Sequence, residues 1–497
     1  MVGLGDRVRS AKPGAMILGS LLVVACSWFL TIPLGTGPDA PFHQASTWCA
    51  NGLQEGRCEQ GSKPETRTVP RYILGTCQPG APLDECGREL VETDQVNWQG
   101  LHVSAYYTLN SVFVGDNPRA SILAMRLFNV ALFAAVVLAA WWVAGARLRR
   151  ALFLALGVAS PAILWLVVAM TNQAWTIAGL VGFWVFVLAA DERGDWRDVR
   201  FRTAAALAVL SVLMVVVSRS DGLILLAIEA AACFVIITDR RGVPFRWVVA
   251  VTAGLALVSG LLLQYVLAPN VFDYYIRFLQ GEYGLYAKYD FPAAELLFHN
   301  LHHVAPFVAE SLSGLHYTAG DGDPRGPSMY LVVFALGGLA YAVHGRATRT
   351  AVLVAASVAT AMVAYPVLAG VRDGLTLPGF IVPRYLAPFA VAAIGLLLVS
   401  APGSSRLVEL PATARRAFVV LTGLSHASAL HIALRSMATG NNLGISTWNL
   451  NDYVLWWWNI GVAPMTVWAA GSAAFVVLLR QGLDDQPPQA TEVRGAA

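Results

Sequence analysis

Apolar runs of about the length of a membrane-crossing helix alternate with short polar connections through most of the chain. A helix rises about 1.5 Å per residue, so roughly 20 apolar residues cross a hydrocarbon core about 30 Å thick. The runs predict about twelve spans, at 14–34, 121–144, 151–169, 173–190, 203–218, 221–238, 246–268, 327–344, 350–369, 386–400, 417–433 and 461–479. They are continuously apolar and do not alternate, which selects helices over a β-barrel. The predicted fold class is an all-α polytopic membrane protein. No internal repeat divides it: residues 1–13 precede the first span, 14–480 form one transmembrane domain, and the polar tail 481–497 is expected to be disordered and cytoplasmic. Arg7, Arg9 and Lys12 before the first run also fit a signal peptide, but no small-residue cleavage site stands out before Pro38, and a retained anchor is expected.

Composition excludes a soluble domain, with 56% hydrophobic residues, 13% charged residues and a mean hydropathy of +0.57. A net charge of +3, without a basic patch interleaved with aromatics, gives no reason to expect nucleic acid as a partner. The basic segments RVRSAK, RLRR, ERGDWRDVRFR, DRRGVPFR, HGRATR and ARR fall on alternate connections, on the side of the N-terminus. By the positive-inside rule that side is cytoplasmic. Three lysines against thirty-one arginines, with abundant Ala, Gly and Val, point to a GC-rich bacterial genome and so to a bacterial plasma membrane. The opposite, extracytoplasmic face then carries two large loops, 35–120 and 269–326, and the shorter segments 370–385 and 434–460. The first loop ends in WQGLHVSAYYTLNSVFVG, too short and polar to span, which predicts an amphipathic or re-entrant helix at the surface. The second begins NVFDYYIRFLQGEYGLYAKYDF, read as an interfacial helix and a loop, and YVLWWWNIG at 453–461 reads as an aromatic belt.

Cysteine usage agrees with that sidedness. Cys49, Cys58, Cys77 and Cys86 all lie in the first outer loop, whereas Cys26 and Cys233 lie inside apolar runs. An even set confined to one polar loop predicts disulfides in an oxidising compartment, with Cys49–Cys58 and Cys77–Cys86 the favoured pairing. The spacing lacks the close CxxC of a zinc knuckle, so no metal is assigned there.

Candidate chemistry gathers at the outer ends of spans. Asp39 and His43 follow the first; Asn172 and Gln173 turn between the third and fourth; Arg219 and Asp221 form the next outer turn; Arg372, Asp373, Arg384 and Tyr385 flank the tenth. A helical bundle places such turns round one cavity. Taken singly, each has a plainer reading: Asp39 as a turn former or helix cap, Arg219 with Asp221 as a surface pair, Arg384 as a snorkelling side chain. His43, His102, His302 and His303 read as packing or interfacial residues. Glu229 is the acid deep inside a span, and an intramembrane acid is a functional candidate by default.

Together, the first span with its outer Asp, the long loop ending in GLHVSAYY, and ASILAMRLFNVALFAAVV leading into short hairpins resemble the GT-C superfamily of membrane glycosyltransferases. Within it, GPDAPFH, TNQAWTIAG and PRYLAPFAVA are similar to the motifs PDExxH, NPD and GRYLLP of a bacterial membrane family known as domain of unknown function 2142 (DUF2142). The likeness runs from about residue 14 to 400. Ala40 stands in place of the motif's Glu, Gln173 and Ala174 replace its Pro-Asp, and the Pro-Pro beside His102 is missing. A divalent cation stays open as a cofactor, but a second carboxylate ligand is lacking.

The resemblance implies transfer of a sugar from a polyprenyl-phosphate donor to a glycan or lipid acceptor of the cell envelope, with inversion. Asp39 would be the general base, with Arg384 and then Arg372 and Arg219 on the donor phosphate. His43, Asn172, Gln173, His102, Asp221 and Tyr385 would contact substrate, and Trp48, Trp98, Tyr106 and Tyr107 would stack on sugar faces. Membrane lipids complete the expected partners. A transporter or flippase of lipid-linked sugars, and a non-catalytic envelope assembly protein, are the alternatives.

Overall fold

The computed structural model describes residues 4–33, 37, 39–74, 89–97, 103–219, 222–241, 292–313, 337, 348–373, 383–401, 403–407, 410–439, 448–451 and 461–484. Helices dominate: α1 Leu4–Thr31, α2 Ala40–Trp48, α3 Ser104–Asn110, α4 Pro118–Val143, α5 Ala146–Val168, α6 Gln173–Arg193, α7 Val199–Ser218, α8 Gly222–Arg241, α9 Ala293–Ser313, α10 Arg349–Ala359, α11 Tyr365–Asp373, α12 Ala387–Ser400, α13 Ala412–Thr439 and α14 Pro464–Asp484. A π turn, Thr360–Ala364, joins α10 to α11. Among the described residues nine stretches are long and apolar enough to cross a membrane, and α12 is a shorter apolar helix. The expected span 246–268, the span 327–344 apart from residue 337, the interfacial helix within 270–291 and the Trp cluster at 453–460 lie outside the described residues.

Local signals set the helix ends. Asn117 caps α4 by accepting from the Ala120 N–H at 3.1 Å, with Pro118 at the first position, and Asp198 caps α7 through Arg200 N–H at 2.8 Å. Gly194, left-handed at φ 67°, stops α6. Helix α14 runs past Arg480, where the polar tail is expected to begin, because Arg415 reaches from α13 to the Asp484 carboxylate at 3.4 Å.

Helix α5 is the centre of the bundle. It packs against α1, α4, α6, α9, α12, α13 and α14, and every residue from Leu148 to Val168 is buried. Around it α6 lies against α7, and α1 against α14. Gly179 permits the first of these approaches, since a Cβ there would stand 2.7 Å from the Ser211 carbonyl.

The two ends of the bundle differ in charge. At one end Arg147 pairs with Glu192 at 2.9 Å, Arg241 donates to Asp191 at 2.8 Å, and Arg150 donates to the Leu407 carbonyl at 2.8 Å. Basic connections separated in sequence thus meet on one face, as their alternation predicts. The other end carries the first long loop, and there the all-helical expectation needs an addition. Strands β1 Glu59–Gln60, β2 Arg67–Pro70 and β3 Leu90–Thr93 form an antiparallel sheet in the order β1-β2-β3, with Val69 opposite Val91. A second apolar cluster, including Trp48, Val69, Ile73, Tyr106, Tyr107 and Trp175, fastens this insertion to the bundle. The loop therefore has a small core of its own, together with the expected disulfide Cys49–Cys58. Cys77 and Cys86 lie outside the described residues.

Candidate active site

Geometry at the lip of α1 begins with its last carbonyls. Arg126, wholly buried on α4, donates from Nη1 to Ile32 O at 2.9 Å and from Nη2 to Pro33 O at 3.0 Å. That fixes where the chain leaves the helix. Gly37 follows at φ 123°, a conformation glycine alone adopts readily. Asp39 comes next at φ 52° and ψ 17°, the one non-glycine residue with positive φ among those described. A left-handed L-residue costs about 1 kcal/mol, so the surroundings must hold it.

Asp39 occupies the N-cap position of α2, yet its side chain makes no capping bond. The carboxylate goes instead to Arg384, whose Nη2 lies 2.8 Å from Oδ1 and 2.7 Å from Oδ2. Of the plainer readings of Asp39, turn former or helix cap, the side-chain cap fails on this point, while the left-handed turn into α2 is there. Nor does Arg384 snorkel to lipid: it sits on the turn Pro383–Tyr385 at the start of α12, 345 residues along the chain from its partner.

Two further groups close the cluster. The Tyr385 ring lies under both guanidiniums, with the Arg384 carbon 5.5 Å and the Arg219 carbon 5.0 Å from its centroid. Arg219 is the C-cap of α7 and is buried rather than at the surface; Asp221, its expected partner, lies outside the described residues. Tyr107 of α3 completes the group, its hydroxyl 3.0 Å from His43 Nδ1. Burial above all, with Tyr106 beside it, pushes the Tyr107 hydroxyl well above its usual range, while the Arg219 charge pulls it down and the Asp39 charge pushes it up. Asp39, His43, Tyr107, Arg219, Arg384 and Tyr385 thus share one electrostatic environment.

Asn172 and Gln173 stand behind Arg219. Asn172 Nδ2 donates to the Ser218 carbonyl at 3.1 Å, holding the α5–α6 turn against the end of α7. Gln173 is buried, its Oε1 without a hydrogen-bond partner among the described residues. Trp48 and Tyr106, expected to stack on sugar faces, present no exposed ring face here. Both are buried in the second apolar cluster, with Tyr106 donating to Thr171 O at 2.9 Å. His102, Trp98 and the side chain of Arg372 lie outside the described residues. Glu229 sits elsewhere, mid-span on α8, where it accepts the Trp184 N–H at 2.9 Å.

Arg126 is the residue that sequence reasoning missed. It is the one charge in the run 121–144, and its isolation in an apolar stretch was the available signal. No group of three or more His, Cys, Asp or Glu side chains with metal-holding geometry occurs among the described residues. Ala40 is fully buried at the first position of α2, where the similar motif carries its second carboxylate. A lone carboxylate already bonded to a guanidinium is a poor donor set for a resident divalent cation.

The family described as "Predicted membrane protein (DUF2142)" matches residues 21–393 of the 497. The chain belongs to this family. The matched stretch contains Asp39, His43, Tyr107, Arg126, Arg219, Arg384 and Tyr385, so the whole charged cluster falls within the DUF2142 region, whose end lies inside α12. No curated protein and no solved structure matches the chain.

Proposed function

We propose that this DUF2142 protein is a glycosyltransferase. It moves a sugar from a polyprenyl-phosphate donor to a hydroxyl of a cell-envelope glycan or lipid acceptor, on the extracytoplasmic face of a bacterial plasma membrane. One observation carries the reading: the Asp39 carboxylate, withdrawn from capping α2, meets Arg384 beside Arg219 and Tyr385 at one end of a membrane bundle. A lipid-linked sugar keeps its phosphate at headgroup depth, which is where the ends of spans lie.

The chemistry follows from the charges. Asp39 is 40% exposed and Arg384 13%, and a partly exposed ion pair is worth at most about 1 kcal/mol. An arriving phosphate, which matches the guanidinium fork at least as well, draws Arg384 from Asp39 at little cost. The freed carboxylate then accepts the proton of the acceptor hydroxyl as its oxygen bonds to the anomeric carbon. The carbon–oxygen bond to the phosphate breaks, and the leaving phosphate's charge develops against Arg384 and Arg219. One displacement with one base inverts the anomeric centre. No step is routed through a metal ion, for which the donor set does not fit.

Transfer of radiolabelled sugar from polyprenyl-phosphate donors, assayed with purified protein in lipid, tests the reading. Asp39→Asn should lower turnover by about 10²–10⁴-fold, the range of a general base. Arg384→Ala should weaken dependence on donor concentration by about tenfold or more, as for a lost charged hydrogen bond. Wild-type-like turnover in Asp39→Asn refutes the assignment. Sugar movement across the bilayer without a new glycosidic bond would make the protein a flippase.

A further inference from the structure

A cavity of about 230 Å³ opens between the outer insertion and α3, next to the charged cluster. Ser46 and Cys49 at the far end of α2, Cys58, Arg67 of β2, Asn97 and Thr108 of α3 form much of its wall. Tyr107 belongs both to this wall and to the group around Asp39. We propose that the cavity is a distal acceptor subsite, holding one sugar ring of an oligosaccharide or glycan acceptor one or two units away from the hydroxyl that reacts. This assignment rests on the glycosyltransferase reading and narrows its acceptor to a glycan chain.

Lining chemistry selects the ligand class. The wall mixes Ser46, Ser104, Tyr107, Thr108 and Asn97 with Leu53, Val96 and the disulfide. A sugar ring has the matching character, with hydroxyls at its rim and C–H bonds on its face. The cationic group in the wall, Arg67, already donates from Nη1 to the carbonyls of Pro64 at 2.8 Å and Thr66 at 2.7 Å, so the cavity is not built for an anion.

Size and position select the subsite. Pockets for drug-sized ligands run from about 300 Å³ upward, so this one takes a single ring and not a whole glycan. Ser46 lies seven residues beyond Asp39 on α2, about 10 Å along a helix, which sets that side of the cavity back from the reacting carboxylate, while Tyr107 marks the side nearest to it. The cavity is also preformed. The disulfide ties Cys49 to Cys58, and Asn97 N–H donates to Ser46 Oγ at 2.9 Å, joining the loop after β3 to α2.

Saturation-transfer difference NMR on the full-length protein in nanodiscs tests the subsite without requiring turnover. The probes are methyl glycosides of a hexopyranose and of a pentofuranose. Signal should appear for at least one probe with wild type and with Asp39→Asn. It should weaken by about tenfold, as for about 1.4 kcal/mol of lost contact, in Ala50→Phe, which fills the cavity, and in Thr108→Phe, placed on an exposed helix position that tolerates change. Absence of signal for both probes with wild type overturns the subsite, as does signal unchanged in both variants. If sugar transfer fails while probe binding stays sensitive to Ala50→Phe, the catalytic reading falls and the cavity stands as a carbohydrate site.

Discussion

At the scale of single residues, Asp39 separates stability from chemistry. Its left-handed backbone costs about 1 kcal/mol, and its partly exposed pair with Arg384 returns no more than that. Asp39→Gly removes both at once, so thermal unfolding of the purified protein should stay within a few degrees of wild type while sugar transfer is lost. A large drop in the thermal midpoint would instead make Asp39 a structural residue. The sequence displayed Asp39, His43, Arg219 and Arg384 as polar residues at the ends of spans, and their convergence follows from helices that all turn on the same face. It could not display the positive φ of Asp39, which depends on how α1 is held at its end. Arg126 does that holding, and its two carbonyl partners lie 93 and 94 residues away, beyond any local pattern.

At the scale of elements, the spans were legible because a bilayer sets their length and composition together. The outer sheet was not, because its strands are two and four residues long and carry Glu59, Arg67 and Glu92 where an alternating apolar pattern is sought. Its fastening is polar. Glu92 accepts from the N–H and the hydroxyl of Ser62 and from the Thr66 hydroxyl, holding the turn between β1 and β2 against β3. These bonds, the Ser62 hydroxyl foremost, hold the Glu92 carboxyl below its ordinary value of 4.5. A lowered folded-state pKa means that the stabilisation is fully present above pH 4.5 and lost as pH falls through the folded value. Limited proteolysis within residues 61–66 should therefore accelerate as pH is lowered below 4.5, and Glu92→Gln should show much of that susceptibility at neutral pH. Equal cleavage at all pH values would remove Glu92 as the fastener.

At the scale of the molecule, the bundle has an end crowded with Arg147, Arg241, Glu192 and Asp191 and an opposite end bearing the sheet and the candidate site. By the positive-inside rule the first is expected to face the cytoplasm. Membrane-impermeant thiol labelling of whole cells should reach Lys63→Cys but not Trp196→Cys, both of which are exposed. The reverse pattern would invert the topology and, with it, the compartment of the proposed reaction. Helix α5 has a consequence of another kind. Since every residue from Leu148 to Val168 is buried in the protein, acyl chains have little surface of this helix to pull on. Peripheral helices are expected to take up most of the tilt in a thinner or thicker bilayer, with α5 standing like a mast. The turn that follows it, where Asn172 grips the end of α7, should then hold its height as bilayer thickness changes.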